Sequence, residues 1–148
     1  MILIDDPYVS EFLKDSIRTH GLPVVKTEVA RQHGLTDGPH VFEEQAAIEQ
    51  ARGKAMPVFY TNSENAIGWI AKHLAFTELP KKIDLFKNKV KFRQLLKPLY
   101  PDFFFCEVRL DQLETLSTAD LPLPCIIKPS VGFFSMGVYR VSTPQEWP

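Results

Sequence analysis

The chain has 148 residues, a formal net charge of −1, 45% hydrophobic residues and 24% charged residues. This composition is typical of one folded domain of ordinary size or two small ones, and it excludes wholesale disorder. The near-neutral charge provides no basic field, so we expect no nucleic-acid partner. Because no signal-peptide pattern and no apolar run of roughly 18 residues occurs, we expect a soluble, cytoplasmic protein without membrane partners.

The first half of the chain alternates short apolar runs with helical periodicities. Such a β-α-β-α order predicts a parallel α/β sheet with right-handed crossovers. We therefore assign residues 1–82 to a Rossmann-like α/β domain, with an exposed loop at residues 31–40. Strands are predicted at residues 2–4, 22–25 and 57–60, and helices at residues 7–20, 42–52 and 61–74.

Turn and cap residues set the expected ends of these helices. Asp6 has the position of an N-cap, Pro7 that of a first-turn proline, and Gly21 that of a stop signal. Thr61 and Glu64 have capping-box spacing before the last of these helices. The apolar faces of the first and last helices are predicted to contain Val9, Phe12, Leu13 and Ile17, and Ile67, Ile70, Ala71 and Leu74. Trp69 lies off that stripe, which predicts an interdomain or homodimer contact.

The pattern changes near residue 82, so residues 83–148 are assigned to a second, small α+β domain. We expect a helix from about Asn88, a short helix near residues 110–116, and strands at residues 103–108, 125–127 and 137–141. Thr143 and Pro144 then begin a further helix, with Glu146 closing a capping box. The sequence stops at Pro148, one turn into that helix, so we expect this domain to be truncated.

The loop at residues 128–136, between the last two strands, carries the residues of chemical interest. In one interpretation, Lys128 presents its ammonium to a nucleotide phosphate, and the loop folds over the triphosphate with backbone amides and the Ser135 hydroxyl. Gly132 and Gly137 would permit positive φ angles and close backbone approach. In the other interpretation, the segment is a hairpin with a long loop, and Lys128 only extends into solvent.

Two adjacent phenylalanines at the loop tip favour the first interpretation. Exposed paired aromatics invite association, and a flap that closes over a ligand gives Phe133 and Phe134 something to cover.

Other nucleotide-binding motifs fit the sequence less well. The chain contains no G-x-x-x-x-G-K-[ST] pattern and no G-x-G-x-x-G after its first strand. In a protein kinase the glycine-rich loop would precede the strand lysine, whereas here it follows Lys128.

The segment Pro-Cys-Ile-Ile-Lys-Pro-Ser, followed by Ser-Met-Gly-Val, resembles the ATP-grasp pattern of a strand lysine before a mobile phosphate loop. Upstream, Asn88-Lys89 resembles the family's Asp-Lys helix start, which supplies a second phosphate lysine. Residues 1–82 resemble the pre-ATP-grasp domain. The resemblance implies that nucleotide is bound by Lys89, Lys128, Ser130, Phe133, Phe134, Ser135, Met136 and Gly137.

The resemblance also implies an activity. ATP-grasp ligases phosphorylate a small carboxylate substrate to an acylphosphate, which an amine or a thiol then attacks. The Mg²⁺ ligands of the family follow the flap, so we expect them beyond residue 148, and we assign no catalytic or metal-binding residue within the chain. The chain by itself is then expected to be inactive. Asn88 replaces the usual aspartate, so Lys87 or Lys91 is an alternative to Lys89.

A non-catalytic α/β module that docks a partner protein through its phenylalanine-rich loop remains the main alternative. Weaker candidates are polar residues at strand ends, which could contact substrate but are favoured as helix caps: Asp5, Asp6, Asn62, Ser63 and Glu64. The four histidines lack metal-ligand spacing. Cys106 and Cys125 match no metal or redox motif, and we expect them to be buried thiols.

Overall fold

The computed structural model describes residues 1–147, apart from the side chain of Asp120. It divides the chain into two compact units, Met1–Ile83 and a second unit that begins at Asp84. The identification of these units as the predicted domains 1–82 and 83–148 remains a proposal. No helix in the described part of the chain is both long enough and apolar enough to cross a membrane.

The first unit is built on a sheet of four two-residue strands that are all parallel. They are β1 (Ile2–Leu3), β2 (Val24–Val25), β3 (Val41–Phe42) and β4 (Tyr60–Thr61), in the order β3-β2-β1-β4. The predicted α/β fold class is confirmed. The chain moves outward from β1 to β3 and then returns to place β4 on the other side of β1. The carboxyl ends of β1 and β4 therefore form a switch point in the sheet.

Four helices connect and cover these strands: α1 (Glu11–His20), α2 (Glu28–Gln32), α3 (Glu44–Arg52) and α4 (Ala66–His73). The Ser10 hydroxyl caps α1 by accepting from the Leu13 amide, and the Thr27 hydroxyl caps α2 in the same way. As predicted, Gly21 ends α1, with a left-handed φ of 55°. The two clusters of the core contain Leu3, Val25, Ala47, Ala51, Ala66, Ile70 and Leu74, and Ile2, Ile4, Ile17, Val24, Ala30 and Leu35.

The predicted N-cap at Asp6 is wrong. Helix α1 begins four residues later than Pro7, and the Asp6 carboxylate instead lies 3.0 Å from Nε2 of His33. Phe12 lies within α1 but is 82% exposed, so it is not on the face of the helix that buries Ile17. The helix begins instead after Ser10, whose hydroxyl accepts a hydrogen bond from the Leu13 amide.

The predicted capping box of α4 is also wrong. Thr61 belongs to β4, and α4 begins only at Ala66, after Asn65, whose side chain makes no cap bond. The Ser63 hydroxyl accepts from the Asn65 amide and so supports the turn that precedes the helix. Ala71, which was predicted on the apolar face, is exposed, because the buried face of α4 follows the four-residue spacing of Ala66, Ile70 and Leu74.

Two short elements of the first unit were not predicted. Helix α2 precedes the loop expected at residues 31–40, and β3 occupies Val41–Phe42, where the helix was expected to begin. Each of these elements has too few residues to show the hydrophobic periodicity that would predict a helix or a strand from the sequence. Trp69 donates to Glu44 Oε2 at 2.5 Å and packs against Phe59 and the core cluster, so its contacts lie within its own unit. The homodimer itself remains a prediction.

Helix α5 (Leu79–Lys87) was not predicted, whereas α6 (Lys89–Leu96) begins where expected, immediately after Asn88. The strand predicted at residues 103–108 is wrong. A strand needs a hydrogen-bonded neighbour, and none pairs with this segment within residues 1–147. The short helix near residue 110 is a single 3₁₀ turn, Leu110–Gln112. Cys106 is exposed and Cys125 is half-buried, contrary to the prediction for both.

The carboxyl-terminal part of the second unit is an antiparallel hairpin, as predicted. Strand β5 (Cys125–Ile127) pairs with β6 (Tyr139–Val141), and Ile126 lies opposite Arg140. Val141 is the one fully buried residue that the structure describes in this unit. Thr143 precedes a 3₁₀ turn, Pro144–Glu146, and the Glu146 carboxylate accepts from the Ser142 amide rather than from the predicted cap amide. Pro148, where the predicted helix would continue, lies outside the described residues.

Candidate functional site

The loop between β5 and β6, residues 128–138, is called the flap below. It folds back onto its own second residue, Pro129. A Cβ built on Gly132 would lie 3.5 Å from Pro129 Cβ, and one built on Gly137 would lie 3.0 Å from Pro129 Cγ. Gly137 also has a positive φ of 68°, as predicted, whereas Gly132 does not have the positive φ that was expected. Only at Gly137 does the close approach to Pro129 require the absence of a side chain, because a Cβ on Gly132 would make an ordinary van der Waals contact.

The tip of the flap is a tight turn in an uncommon conformation. The Met136 amide donates to the Phe133 carbonyl at 3.2 Å, and both central residues have positive φ, 51° at Phe134 and 57° at Ser135. Positive φ at both central positions is characteristic of a type I′ turn, which favours Asn-Gly. Side chains at these positions cost about 1–3 kcal/mol each. This turn is therefore strained.

The two phenylalanines of the flap contact one another rather than a core. The rings of Phe133 and Phe134 lie 5.4 Å apart at 79°, an edge-to-face pair. Phe134 remains 75% exposed and Phe133 54% exposed. Such a pair contributes about 0.5–1.5 kcal/mol, which offsets part of the strain in the turn. The flap thus displays an apolar tip to solvent, as the sequence predicted.

The start of helix α6 is joined to the flap by Lys89. Its backbone amide donates to the Ser130 carbonyl at 2.7 Å, and its Nζ donates to the Gly132 carbonyl at 3.2 Å. Sequence reasoning predicted that Lys89 and the flap act on one ligand, but it could not predict that two flap carbonyls would accept from one lysine. The structure therefore brings Lys89 together with Ser130, and with the segment that contains the other predicted site residues.

The backbone of α6 offers little to an anion at its amino-terminal end. Asn88 Oδ1 accepts from the Val90 amide at 3.0 Å and from the Lys91 amide at 3.1 Å, while the Lys89 amide is occupied by the flap. All three amides of the first turn thus have partners. Any attraction of phosphate at this position must come from the Lys89 ammonium rather than from the helix end.

The charge environment favours Lys89 over Lys91 as the second phosphate lysine. The Lys91 ammonium pairs with the Asp84 carboxylate, which compensates its charge. The Lys89 ammonium is bonded to a neutral carbonyl and retains its full charge. Lys128 follows β5 directly, is exposed, and makes no hydrogen bond or ion pair with the residues that the structure describes. Two uncompensated ammonium groups are thus associated with the flap.

Residues 121–148 match the family model of the ATP-grasp domain, a match that contains β5, the flap and β6. The carboxyl-terminal end of this chain is related to the ATP-grasp superfamily. No curated protein and no solved structure matches the chain. The match contains Lys128 and every predicted flap residue, whereas Lys89 lies upstream of it.

ATP-grasp enzymes use Mg²⁺ with ATP, and the residues described here do not form a site for that ion. Within residues 1–147, no group of three or more His, Cys, Asp or Glu side chains is arranged to hold a metal. Mg²⁺ requires oxygen ligands in a near-octahedral arrangement. We assign no magnesium ligand among residues 1–147 and no catalytic step to the metal.

The polar residues at the switch point of the first unit hold two loops together. Asn62 accepts from the Asp5 amide at 2.8 Å and donates to the Asp5 and Tyr8 carbonyls at 2.9 and 2.6 Å. The Ser63 hydroxyl donates to the Asp6 carbonyl at 2.8 Å. The loop after β4 therefore fixes the loop after β1. These contacts replace the helix caps that were predicted for Asn62 and Ser63.

A shallow groove in the second unit was not predicted from the sequence. Its volume is about 180 Å³, and the guanidinium of Arg93 lies 4.3 Å from the ring centre of Phe103 at its edge. Phe103 and Phe105, which belong to the segment wrongly predicted to be a strand, form part of the wall of the groove. It is lined by Arg93, Leu96, Lys97, Tyr100, Phe103 and Phe105.

Proposed function

We propose that the protein is an ATP-dependent ligase that activates a small carboxylate as an acylphosphate. The observation that carries the proposal is the ATP-grasp match over residues 121–148, together with the Lys89 ammonium at the flap backbone. A phosphate-binding flap requires mobile backbone and positive charge beside it. The segment that matches the family contains an exposed loop, and Lys89 and Lys128 provide the charge.

In the proposed reaction, a carboxylate oxygen of the substrate attacks the γ-phosphorus of ATP. A new P–O bond forms, the bond to the β-phosphate oxygen breaks, and ADP leaves. An amine or a thiol then attacks the acyl carbon and releases inorganic phosphate. Lys128 and Lys89 would compensate the charge on the transferring group, because phosphoryl transfer depends on positioning and electrostatic stabilisation. We assign no residue of this chain as acid, base or nucleophile.

The first unit is proposed to be the pre-ATP-grasp domain. Its four-stranded parallel sheet and its switch point between β1 and β4 support this assignment. In open α/β sheets, ligands bind outside the carboxyl ends of the strands at such a point. The loops fixed by Asn62 and Ser63 lie there and provide a rigid support for the Asp5 and Asp6 carboxylates.

Calorimetric titration of the full-length protein with ATP and Mg²⁺ tests the proposal. We expect saturable binding, and we expect Lys128→Met to weaken it by about 10- to 100-fold, the scale of one lost charged hydrogen bond. Lys81→Met is the matched control, because Lys81 is an exposed lysine of the first unit that pairs with Glu78. If the full-length protein does not bind ATP, the ligase proposal fails.

One observation favours a second candidate function, a docking module for a partner protein. The edge-to-face pair of Phe133 and Phe134 is held outward on a strained turn, which is a feature of recognition loops as well as of lids. This candidate predicts that the full-length protein does not bind ATP. It also predicts that Phe134→Ser abolishes binding of the partner protein, because Phe134 is the more exposed ring of the pair.

A further inference from the structure

Lys89 holds the flap at two positions, Ser130 and Gly132, with two different groups. Its amide, which is fixed within helix α6, donates to the Ser130 carbonyl, and its mobile ammonium donates to the Gly132 carbonyl. We propose that the ammonium is a latch that holds the flap in this folded-back conformation, and that a phosphate releases the flap by taking this ammonium as its own partner. The identity of the releasing ligand rests on the proposed function, whereas the latch itself does not.

The two bonds from Lys89 differ in how easily a ligand can replace them. The amide cannot leave Ser130 without movement of the helix backbone. The ammonium is at the end of a four-carbon chain and can turn to another acceptor. A phosphate oxygen carries charge and is a stronger acceptor for an ammonium than a neutral carbonyl is. Ser130 therefore remains the fixed base of the flap, and Gly132 begins the part that a ligand can release.

The strained turn lies directly after the latched residue. Phe134 and Ser135 have positive φ, a conformation that persists only where the surrounding structure imposes it. The flap is otherwise exposed, and its internal supports are the contact of Pro129 with the two glycines and the bonds within the turn. Besides the bond from the Lys89 amide to Ser130 at the base of the flap, the bond from the Lys89 ammonium to Gly132 is the restraint from another element that lies next to the turn. Its loss should allow the turn to relax.

Residue-resolved amide hydrogen exchange in the full-length protein without nucleotide tests the latch. The reporters are the Met136 amide, which bonds to Phe133, and the Val138 amide, which bonds to Ser135. We expect Lys89→Met, which keeps the aliphatic stem, to speed exchange at both amides by about 3- to 10-fold. Lys89→Arg, which keeps a donor and a positive charge, should restore slow exchange.

Two internal controls distinguish loss of the contact between Lys89 and Gly132 from a general loss of stability. The Lys91→Met variant removes an ammonium from the same helix that pairs with Asp84 rather than with the flap, so exchange at Met136 should not change. The Val24 amide, which bonds to His40 in the first unit, should be equally protected in every variant. Unchanged exchange at Met136 and Val138 in Lys89→Met, or an equal increase in Lys91→Met, would overturn the latch.

The release step is measured separately, through the carbonyl ¹³C chemical shift of Gly132. When inorganic triphosphate or ATP with Mg²⁺ is added to the wild-type protein, this shift should move toward its value in Lys89→Met. If ATP binds by calorimetry and the shift does not move, release is wrong and the proposed function stands. If ATP does not bind, the proposed function and the release step both fail, whereas accelerated exchange in Lys89→Met still supports the latch.

Discussion

Gly137 lies so close to Pro129 that a Cβ at position 137 would approach the proline Cγ to 3.0 Å. The same residue has a φ of 68°, where side chains are disfavoured. The return of the flap onto its own base therefore depends on the absence of a side chain at this position. This contact lies next to the start of β6 and adds to the hydrogen bonds that Lys89 and the turn supply to the flap.

Gly137→Ala is expected to disorder the end of the flap, because the methyl group meets both the proline ring and an unfavourable φ. The combined cost should be about 1–2 kcal/mol. We expect exchange at the Val138 amide to accelerate by roughly 5- to 30-fold, measured by NMR. Unaltered protection at Val138 would show that the Pro129 contact does not hold the flap.

Gly68→Ala is the matched control and should have the opposite sign. Gly68 is an exposed position inside helix α4, its φ is not positive, and a Cβ there would meet no atom within 4 Å. Alanine should therefore raise the free energy of unfolding by about 0.5–1 kcal/mol, through higher helix propensity and a less flexible unfolded chain. Urea denaturation monitored by circular dichroism measures the change, and a decrease would contradict the prediction.

Ser135→Gly should relieve strain at the flap tip. Ser135 occupies the second central position of the turn at a φ of 57°, where glycine has no Cβ penalty. The change should stabilise the turn by about 1 kcal/mol and slow exchange at the Met136 amide by roughly fivefold. Ser135→Ala keeps the Cβ and removes only the hydroxyl, so it should leave exchange nearly unchanged. Equal effects of the two substitutions would exclude backbone strain as the cause.

Asn88→Ala should destabilise the second unit by about 1 kcal/mol, because Asn88 Oδ1 caps two amides of α6. Asn88→Asp keeps both acceptor bonds and adds a negative charge at the helix amino terminus, so it should be neutral or stabilising. Trp147, whose indole donates to the Leu113 carbonyl, reports on this unit by fluorescence in a Trp69→Phe background. A loss of stability in Asn88→Asp as large as that in Asn88→Ala would contradict the cap.

Glu43 should titrate below the ordinary range of a glutamate, because the Lys26 ammonium, 2.8 Å from Oε1, lowers its pKa. A lowered pKa in the folded state means that the pair stabilises the fold above the pKa of the unfolded chain. That contribution disappears as the pH falls through the pKa of the folded state. Carboxyl NMR titration should show that Lys26→Met raises the pKa of Glu43 toward the ordinary value.

Glu11 is the internal control for that titration. The hydrogen bond from Lys14 lowers the pKa of Glu11, and Lys14 is the partner of Glu11 in an ion pair within helix α1. Lys26→Met should therefore leave the pKa of Glu11 unchanged. If the pKa values of both carboxyls rise together, a change in the whole fold, rather than loss of the Lys26 contact, explains the result.

The sequence by itself determined the features that depend on a few neighbouring residues. Four such features were predicted from local signals: the buried run at residues 2–4, the stop at Gly21, the helix start near Asn88 and the two strands on either side of the flap. Where two residues could each begin the same helix, only the tertiary structure decided which of them did so. Asp6 and Ser10 could each cap a helix, and the contact of Asp6 with His33, distant in sequence, accompanies the later start.

Only the tertiary structure could place Lys89 against the flap. The lysine and Gly132 are 43 residues apart, and no periodicity relates them. For the same reason the apolar segment at residues 103–108 gave a false strand, since composition cannot supply the neighbouring strand that a ladder of hydrogen bonds requires. Residue types thus predicted a phosphate-binding flap, and the hydrogen bonds of Lys89 to Ser130 and Gly132 showed which lysine contacts it.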